Sequence, residues 1–498
     1  MAEGDGAGRL GEAIAARREK LERLRARGID PFAVRFDLDA PISQFRERYG
    51  DIEAGTEVAD GRARVAGRIV LFRHHGNLSF ATIRDRSDEI QLFLSRDRMG
   101  EAYAMLDDLD LFDIVGAEGQ VMKTRKGELS IAVERLTLLT KALRPPPDKW
   151  HGVRDAEARA RRPYLDLATR PESREALRAR ALVLKALRRV LDQRGFLEVE
   201  TPVLHPSAGG ALARPFVTHH VALDVDLYLR IALELYLKRM LVGGLERVYE
   251  IGRNFRNEGV DRQHNPEFTM LEAYQAYGDY GDMMDLAEAL VREAAMELRG
   301  SLRFDYQGSS LDLEPPWRRV TILEAVSETL GEGVGLGRED LSALADRAGV
   351  RVDPDWGPGK VILELFERLV EPGLLQPTFV LDFPREVSPL ARSHRSSPGL
   401  TEHFDLVIGG MEIGPAYSEL TDPDEQRRRF QEQLAARRAG DEDAHPVDEE
   451  FLLALEHGMP PAGGIGIGID RLLMILLDAP SIRDTIAFPH LRPEPGTV

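Results

Sequence analysis

Gly464-Ile465-Gly466-Ile467-Gly468-Ile469-Asp470-Arg471 runs directly into Leu472-Leu473-Met474-Ile475-Leu476-Leu477. Side chains alternate faces along a strand, so the isoleucines share one face and the glycines the other. The isoleucine face suits a core. The glycine face is bare backbone, against which a planar ligand can lie close. The apolar run reads as a helix, and Arg471 at its start would set a guanidinium at the ligand's edge. A closely packed glycine-rich strand is the plainer reading of this segment taken alone.

Two further segments add chemistry. Arg253-Asn254-Phe255-Arg256-Asn257-Glu258-Gly259 and Pro266-Glu267-Phe268-Thr269-Met270-Leu271-Glu272-Ala273-Tyr274 are strand-like runs joined by a polar loop, which makes a hairpin. Arginine's planar fork suits a phosphate or carboxylate. One arginine in a strand is usually structural, but Arg256 near Glu258, with His264 and Phe268 across the hairpin, is a richer set. In Asp405-Leu406-Val407-Ile408-Gly409-Gly410-Met411-Glu412, Gly409-Gly410 is a two-residue hairpin turn. It puts Val407 opposite Glu412 and leaves Asp405 diagonal to Glu412. Diagonal partners lie ~7–8 Å apart, close enough for two carboxylates to share a hard divalent ion such as Mg²⁺.

Around these segments the chain has 498 residues, 43% hydrophobic and 30% charged, a globular balance that predicts more than one domain. No stretch approaches the ~18–20 apolar residues of a membrane span, and the polar N-terminus lacks a secretory apolar region. There is no cysteine, which removes disulfides, thiolate zinc sites, iron–sulfur clusters and thiol nucleophiles and favours a cytoplasmic protein. Lys and Arg number 66 against 84 acidic residues, a net charge of −18. A nucleic-acid partner would have to be held by local basic patches and released readily.

Residues 7–28 read as a helix whose basic face (Arg17, Arg18, Lys20, Arg23, Arg25, Arg27) is either solvated or meets a polyanion. Short alternating runs over 62–143 predict a small five-stranded barrel with a helix, Arg98 to Leu109, inserted; it resembles an OB-fold, a module for single-stranded nucleic acid. Three prolines at 145–147 mark a boundary. Beyond it a long amphipathic helix (174–194) precedes strands near 215–223, 247–256, 266–276, 378–383, 403–408, 411–420 and 463–469. Regular βαβ alternation is missing, so the reading is α+β with an antiparallel sheet. The expected domains are a helical extension (1–60), the barrel (61–143), a linker (144–170) and a catalytic domain (171–498) with a helical insertion at about 317–400.

Together these segments resemble the three signature motifs of the class II aminoacyl-tRNA synthetases. Phe196-Leu197-Glu198-Val199-Glu200-Thr201-Pro202 resembles the first, a dimer-interface element. Phe255-Arg256-Asn257-Glu258 resembles the second, and the glycine run ending at Arg471 the third. Their order behind an OB-like domain is similar to the subgroup charging lysine, aspartate or asparagine, and most of all to its bacterial lysine branch. An aspartate pocket needs a cation, whereas a lysine pocket needs buried anions, because an unpaired buried charge is costly.

The resemblance implies ATP-dependent ligation of L-lysine to tRNA(Lys) through a lysyl-adenylate, with AMP and diphosphate released. The partners it implies are ATP, L-lysine, tRNA(Lys) and a second copy in a homodimer, with no membrane. It implies a lysine pocket of Gly210, Glu234, Arg256, Glu272, Tyr274, Tyr417 and Glu419. Arg256, Glu258, His264, Phe268, Glu412, Gly468 and Arg471 would bind ATP, with Arg256 and Arg471 catalytic. Asp405 and Glu412 would hold Mg²⁺, and no zinc is expected. Arg73, Phe80, Gln91 and Glu128 match positions used on a U-rich anticodon, although Phe80 could instead be core. The sequence departs from the family at Asn77, where lysine is common, and at Pro415, where many relatives have Asn. A tRNA-binding paralogue without ligase activity usually lacks a motif arginine, and both are present here. A protein-lysylating relative would lack the barrel, and a lipid-lysylating fusion would carry membrane helices. An aspartate or asparagine enzyme is disfavoured by Glu272 and Glu419.

Overall fold

A computed structural model describes residues 2–147, 156–207, 209–211, 213–353, 356–438 and 447–492. Stretch 148–155 of the expected linker, and residues 493–498, lie outside the described residues. The chain forms two compact units, Met1–Arg154 and Asp155–Val498.

The first unit joins helix α1 (Ala2–Ala26) to a closed barrel of β1 (Glu57–His75), β2 (Leu78–Arg84), β3 (Glu89–Ser95), β4 (Ile114–Lys123) and β5 (Leu129–Thr140), in the order β1-β2-β3-β5-β4. Alternate residues such as Val65, Ile83, Leu92, Val121 and Ile131 fill its interior. The inserted helix expected at 98–109 is not one α-helix. A single α-turn (Arg96–Met99) gives way to a 3-10 segment (Gly100–Asp108), because Gly100 takes φ 57°, outside the helical region. The basic face of α1 is largely consumed within this unit. Arg17 donates to the carbonyl oxygens of Leu111, Ala142 and Arg144 at 3.1, 2.9 and 3.0 Å. Lys20 pairs with Asp110 at 2.8 Å, and Arg23 and Arg27 with Asp108 at 2.9 and 3.2 Å.

In the second unit α2 (Pro171–Gln193) precedes β6 (Leu197–Glu198), α3 (Glu234–Val242), β7 (Arg247–Phe255), β8 (Glu267–Ala276) and α4 (Tyr280–Arg299). Then come β9 (Arg318–Thr321), β10 (Thr378–Leu381), β11 (His403–Ile408), β12 (Met411–Ser418), β13 (Ala462–Gly468) and α5 (Ile469–Leu477). Eight of these strands form one sheet, β9-β10-β11-β12-β13-β8-β7-β6. It is antiparallel except where β9 meets β10 and β6 meets β7. One face packs on α2, α4 and α5 through Leu187, Leu290, Ile475, Leu271, Ile465 and Ile467. The expected helical insertion at 317–400 is narrower. Its first residues are β9, whose Val320 is buried beside β10's Val380, and its α-helices lie within 322–365 around a small core shared with Val320, Val380 and Val407 of the sheet.

Candidate active site

The isoleucine–glycine alternation of β13 decides the site. Ile465, Ile467 and Ile469 enter the core. On the other face a cavity of about 400 Å³ is walled by Gly464, Gly466 and Gly468. Across this floor Gly466 lies opposite Glu272, and Gly464 lies opposite both Tyr274 and Tyr417. Gly464 has no room for a side chain, because a Cβ there would collide with Glu419 Oε1 and the Tyr274 ring. Gly210, Glu234, Arg256, Glu258, His264, Phe268, Glu412 and Arg471 also line the cavity. Among the expected lysine, ATP and metal residues, only Asp405 and Glu419 are not part of this lining, and Glu419 Oε1 lies directly against Gly464.

One end gathers cations and an aromatic ring. Arg256 leaves β7's hairpin with its guanidinium 5.2 Å from the Phe268 ring centre, and its buried Nε has no hydrogen-bond partner. Burial lowers the Arg256 pKa, opposed by the charges of Glu258 and Glu412. Arg471 Nη1 donates to the Glu412 carbonyl at 2.8 Å and approaches its carboxylate at 3.2 Å, and Nη2 lies 3.0 Å from His264 Nε2. His264 is fixed through Nδ1 by Asp261 at 2.8 Å. Glu258 and His264 are exposed at the mouth. This is an anion-binding end with a ring for a planar group.

The other end gathers acids. Glu272 is 4% exposed and accepts from the Leu233 N–H at 3.0 Å and the Tyr274 hydroxyl at 3.1 Å. Burial pushes its carboxyl up to about 7; Glu234's charge adds to this and the Leu233 N–H opposes it. Glu234 opens α3 and is 6% exposed; Glu419, just past β12, is 1% exposed. Burial raises the Glu419 pKa and Lys238 pulls it back. Lys238 was not singled out from the sequence, yet it is wholly buried and its ammonium pairs with both Glu234 and Glu419. The spacing of Lys238 four residues after Glu234 on a helix was the available signal.

Asp405 and Glu412 flank the Gly409-Gly410 turn, where φ values of 65° and 72° make both glycines obligatory. Val407 does face Glu412, but the register then slips: Leu406 pairs with Gly414 and Asp405 with Pro415. The slip is a bulge at Ile413, which turns Glu412, Pro415 and Tyr417 toward the same side despite their uneven spacing. Pro415 follows the bulge and precedes the ladder with β13, which starts at Ala416. Asp405 Oδ1 accepts from His403 Nε2 at 3.0 Å, and Ser388 Oγ lies 2.8 Å from His403 Nδ1. Glu371 accepts the Glu412 N–H at 2.9 Å. Burial raises the carboxyls of Glu371 and Glu367 to about 7 each. None of Ser388, His403, Glu367 and Glu371 was singled out beforehand. The described residues contain no group of three or more His, Asp or Glu able to hold a metal alone. Two hard carboxylates beside an anion site suit Mg²⁺, which keeps waters and binds substrate phosphates as well.

On the barrel, Arg73 pairs across β1 and β2 with Phe80, and Phe80 with Phe93 of β3. Phe80 is half-buried, not core, and meets the Phe93 ring edge-on at 5.7 Å. Gln91 accepts from Ser130 Oγ at 3.1 Å, and the exposed Glu128 lies 3.6 Å from Arg46. These four candidates therefore share the barrel's outer surface, with apolar rings available for stacking.

Residues 63–139 match the family described as OB-fold nucleic acid binding domain, and residues 155–492 match tRNA synthetases class II (D, K and N). The chain is 52% identical over 484 residues to a lysine–tRNA ligase of Moorella thermoacetica, covering 97% of this chain and 98% of the relative. It is 53% identical over 494 residues to one of Thermosynechococcus vestitus, covering 97% of each. A third, of Carboxydothermus hydrogenoformans, is 49% identical over 487 residues, covering 97% and 99%. With the second and third motifs set around one glycine-floored cavity and these likenesses along nearly the whole chain, the chain belongs to the class II tRNA synthetase family, in the branch for aspartate, lysine and asparagine.

Proposed function

We propose that the enzyme ligates L-lysine to tRNA(Lys) in an ATP-dependent, two-step reaction through lysyl-adenylate. The observation that carries the choice of lysine is the closed end of the cavity, where Glu234, Glu272 and Glu419 converge in burial. A buried carboxylate is costly unless a cation meets it. Glu272 and Glu419, with the Tyr274 hydroxyl, select the side-chain ammonium; Glu234 and the Gly210 loop take the α-amino group. An aspartate side chain here would meet like charge.

Arg256, in reach of both ends, takes the lysine carboxylate and the α-phosphate. Arg471 and His264 take the outer phosphates, Glu258 the nucleotide, and Phe268 stacks on adenine over Gly468. The lysine carboxylate attacks the α-phosphorus in line and diphosphate leaves. The ribose hydroxyl at the tRNA 3′ end then attacks the adenylate carbonyl, and AMP leaves. Catalysis is positioning plus charge stabilisation; no protein nucleophile is needed. Asp405 and Glu412 are the residues that would hold Mg²⁺, which neutralises phosphate charge when bound. Arg73, Phe80, Gln91 and Glu128 read the anticodon.

The enzyme acts as a homodimer in the cytoplasm. Exposed Leu197, Leu204, Val217, Val221 and Leu223 near the first motif support a second copy covering that face. No described helix is long and apolar enough to cross a membrane. Diphosphate exchange into ATP, measured with each of the twenty amino acids, tests the reading. Lysine alone should support exchange; equal or greater exchange with aspartate or asparagine refutes it.

A further inference from the structure

Lys238 sits one helical turn after Glu234 on α3, with no solvent exposure at all. Its ammonium bridges two chain segments, pairing with Glu234 on its own helix and with Glu419 beyond β12. Burial alone would pull the Lys238 pKa down, but the two carboxylates outweigh it and the ammonium stays charged. Apart from Lys238, the Glu419 carboxylate has no partner among the described residues. Its Oε1 lies against the bare backbone of Gly464, beside the Tyr274 ring. A buried ion pair made only for structure would normally satisfy its remaining lone pairs. This one leaves them open at the end of the cavity where Glu272 and Tyr274 also converge.

We propose that Lys238 is a positioning residue for substrate selection, resting on the lysine reading above. Its ammonium draws Glu419 toward the ionised form, against burial, and fixes the carboxylate where the substrate ammonium arrives. The charges support this. Over the amino-acid pocket as a whole, Glu234, Glu272 and Glu419 against Lys238 and Arg256 leave one net negative charge, which the single net positive charge of lysine cancels. Without Lys238 the excess doubles, and buried acids answer excess charge by taking up protons. A protonated Glu419 keeps its shape but loses its attraction for an ammonium. Lys238 thus acts through Glu419 and touches no reacting atom.

The test is diphosphate exchange by the full-length enzyme carrying Lys238→Met, alone and in a Glu419→Gln background. The wild type is measured first; no exchange with lysine sinks the functional reading and this inference together. With an active wild type, Lys238→Met should raise the KM for lysine about tenfold to hundredfold, the range that one buried charge partner commands. The KM for ATP and kcat should stay within about threefold. In the Glu419→Gln background the same change should have less than a twofold effect, because the group through which it acts is already neutral. An unchanged lysine KM, a parallel loss for ATP, or an equal effect in both backgrounds overturns the proposal. If Lys238→Met does not fold, Lys238→Gln, one atom shorter but still a hydrogen-bond donor without charge, is held to the same outcomes.

Discussion

Glu272→Gln isolates a single buried charge. The amide can still accept the Leu233 N–H and face the Tyr274 hydroxyl, so the shape of the pocket is retained. The carboxyl of Glu272 is raised from an ordinary 4.5 to about 7, chiefly by burial. At about 1.4 kcal/mol per pH unit, that gap amounts to about 3 kcal/mol. The folded protein holds this proton more tightly than the unfolded chain. The stability it contributes is therefore complete below pH 4.5 and is lost as the pH rises through about 7. Lysine, by supplying a cation, reverses that loss. Two measurements follow. In chemical denaturation without substrate, Glu272→Gln should match the wild type near pH 4 and exceed it by up to about 3 kcal/mol at pH 8. In diphosphate exchange, the wild-type kcat/KM for lysine should climb about tenfold per pH unit below 7 and level off above. The variant should be weaker at pH 8, by ~3–5 kcal/mol for a lost buried partner, and should lack that part of the slope. A wild-type profile flat from pH 6 to 8, or a variant that keeps the full slope, refutes the assignment of Glu272 to the ammonium.

Glu412→Gln should abolish adenylate formation while lysine binding by calorimetry persists; near wild-type exchange at saturating Mg²⁺ removes it from the metal assignment. Phe80→Ala should leave diphosphate exchange intact and weaken tRNA charging by ~1–3 kcal/mol, the worth of one stacked base, so equal charging takes the ring out of recognition. Pro415→Asn restores an amide donor on the cavity wall and should lower the KM for lysine a few-fold, about one ordinary hydrogen bond of ~0.5–1.5 kcal/mol. Loss of activity, or activation of another amino acid, means that the proline shapes the pocket.

The strands and their faces were legible because the residues alternate strictly. Ile465, Ile467 and Ile469 could only enter a core, and three glycines opposite them could only form a bare floor. The closed barrel was legible from short alternating runs. The bulge at Ile413 was not, since Ile413-Gly414 continues a regular-looking strand and the slip arises where Gly414 must fit against the carbonyl of Gly466. Lys238 was also hidden. In Glu-Leu-Tyr-Leu-Lys-Arg it looks like the polar side of a helix, and its burial depends on Glu419, far along the chain, closing over it. His403 and Glu371 escaped for the same reason: Ser388 Oγ reaches His403, and Glu371 reaches the Glu412 N–H, only once the chain has folded. The basic helix at the N-terminus invited a reading as a polyanion contact because Asp108 and Asp110, which pair with it, come some eighty residues later.

That pairing bears on how the enzyme responds to salt. A protein that grips nucleic acid through unpaired cations displaces condensed ions from the phosphates, and its affinity falls steeply with ionic strength. Arg17, Lys20, Arg23 and Arg27 are already engaged by carbonyls and carboxylates of their own unit. A phosphate approaching them must compete with those groups, so each contributes much less than the ~0.9 per phosphate expected of an unpaired cation on a duplex. The N-terminal helix therefore braces the barrel and leaves the salt dependence of tRNA affinity shallow for so arginine-rich a segment. An enzyme built this way can hold its substrate by stacking and shape at moderate ionic strength and still let the charged product go.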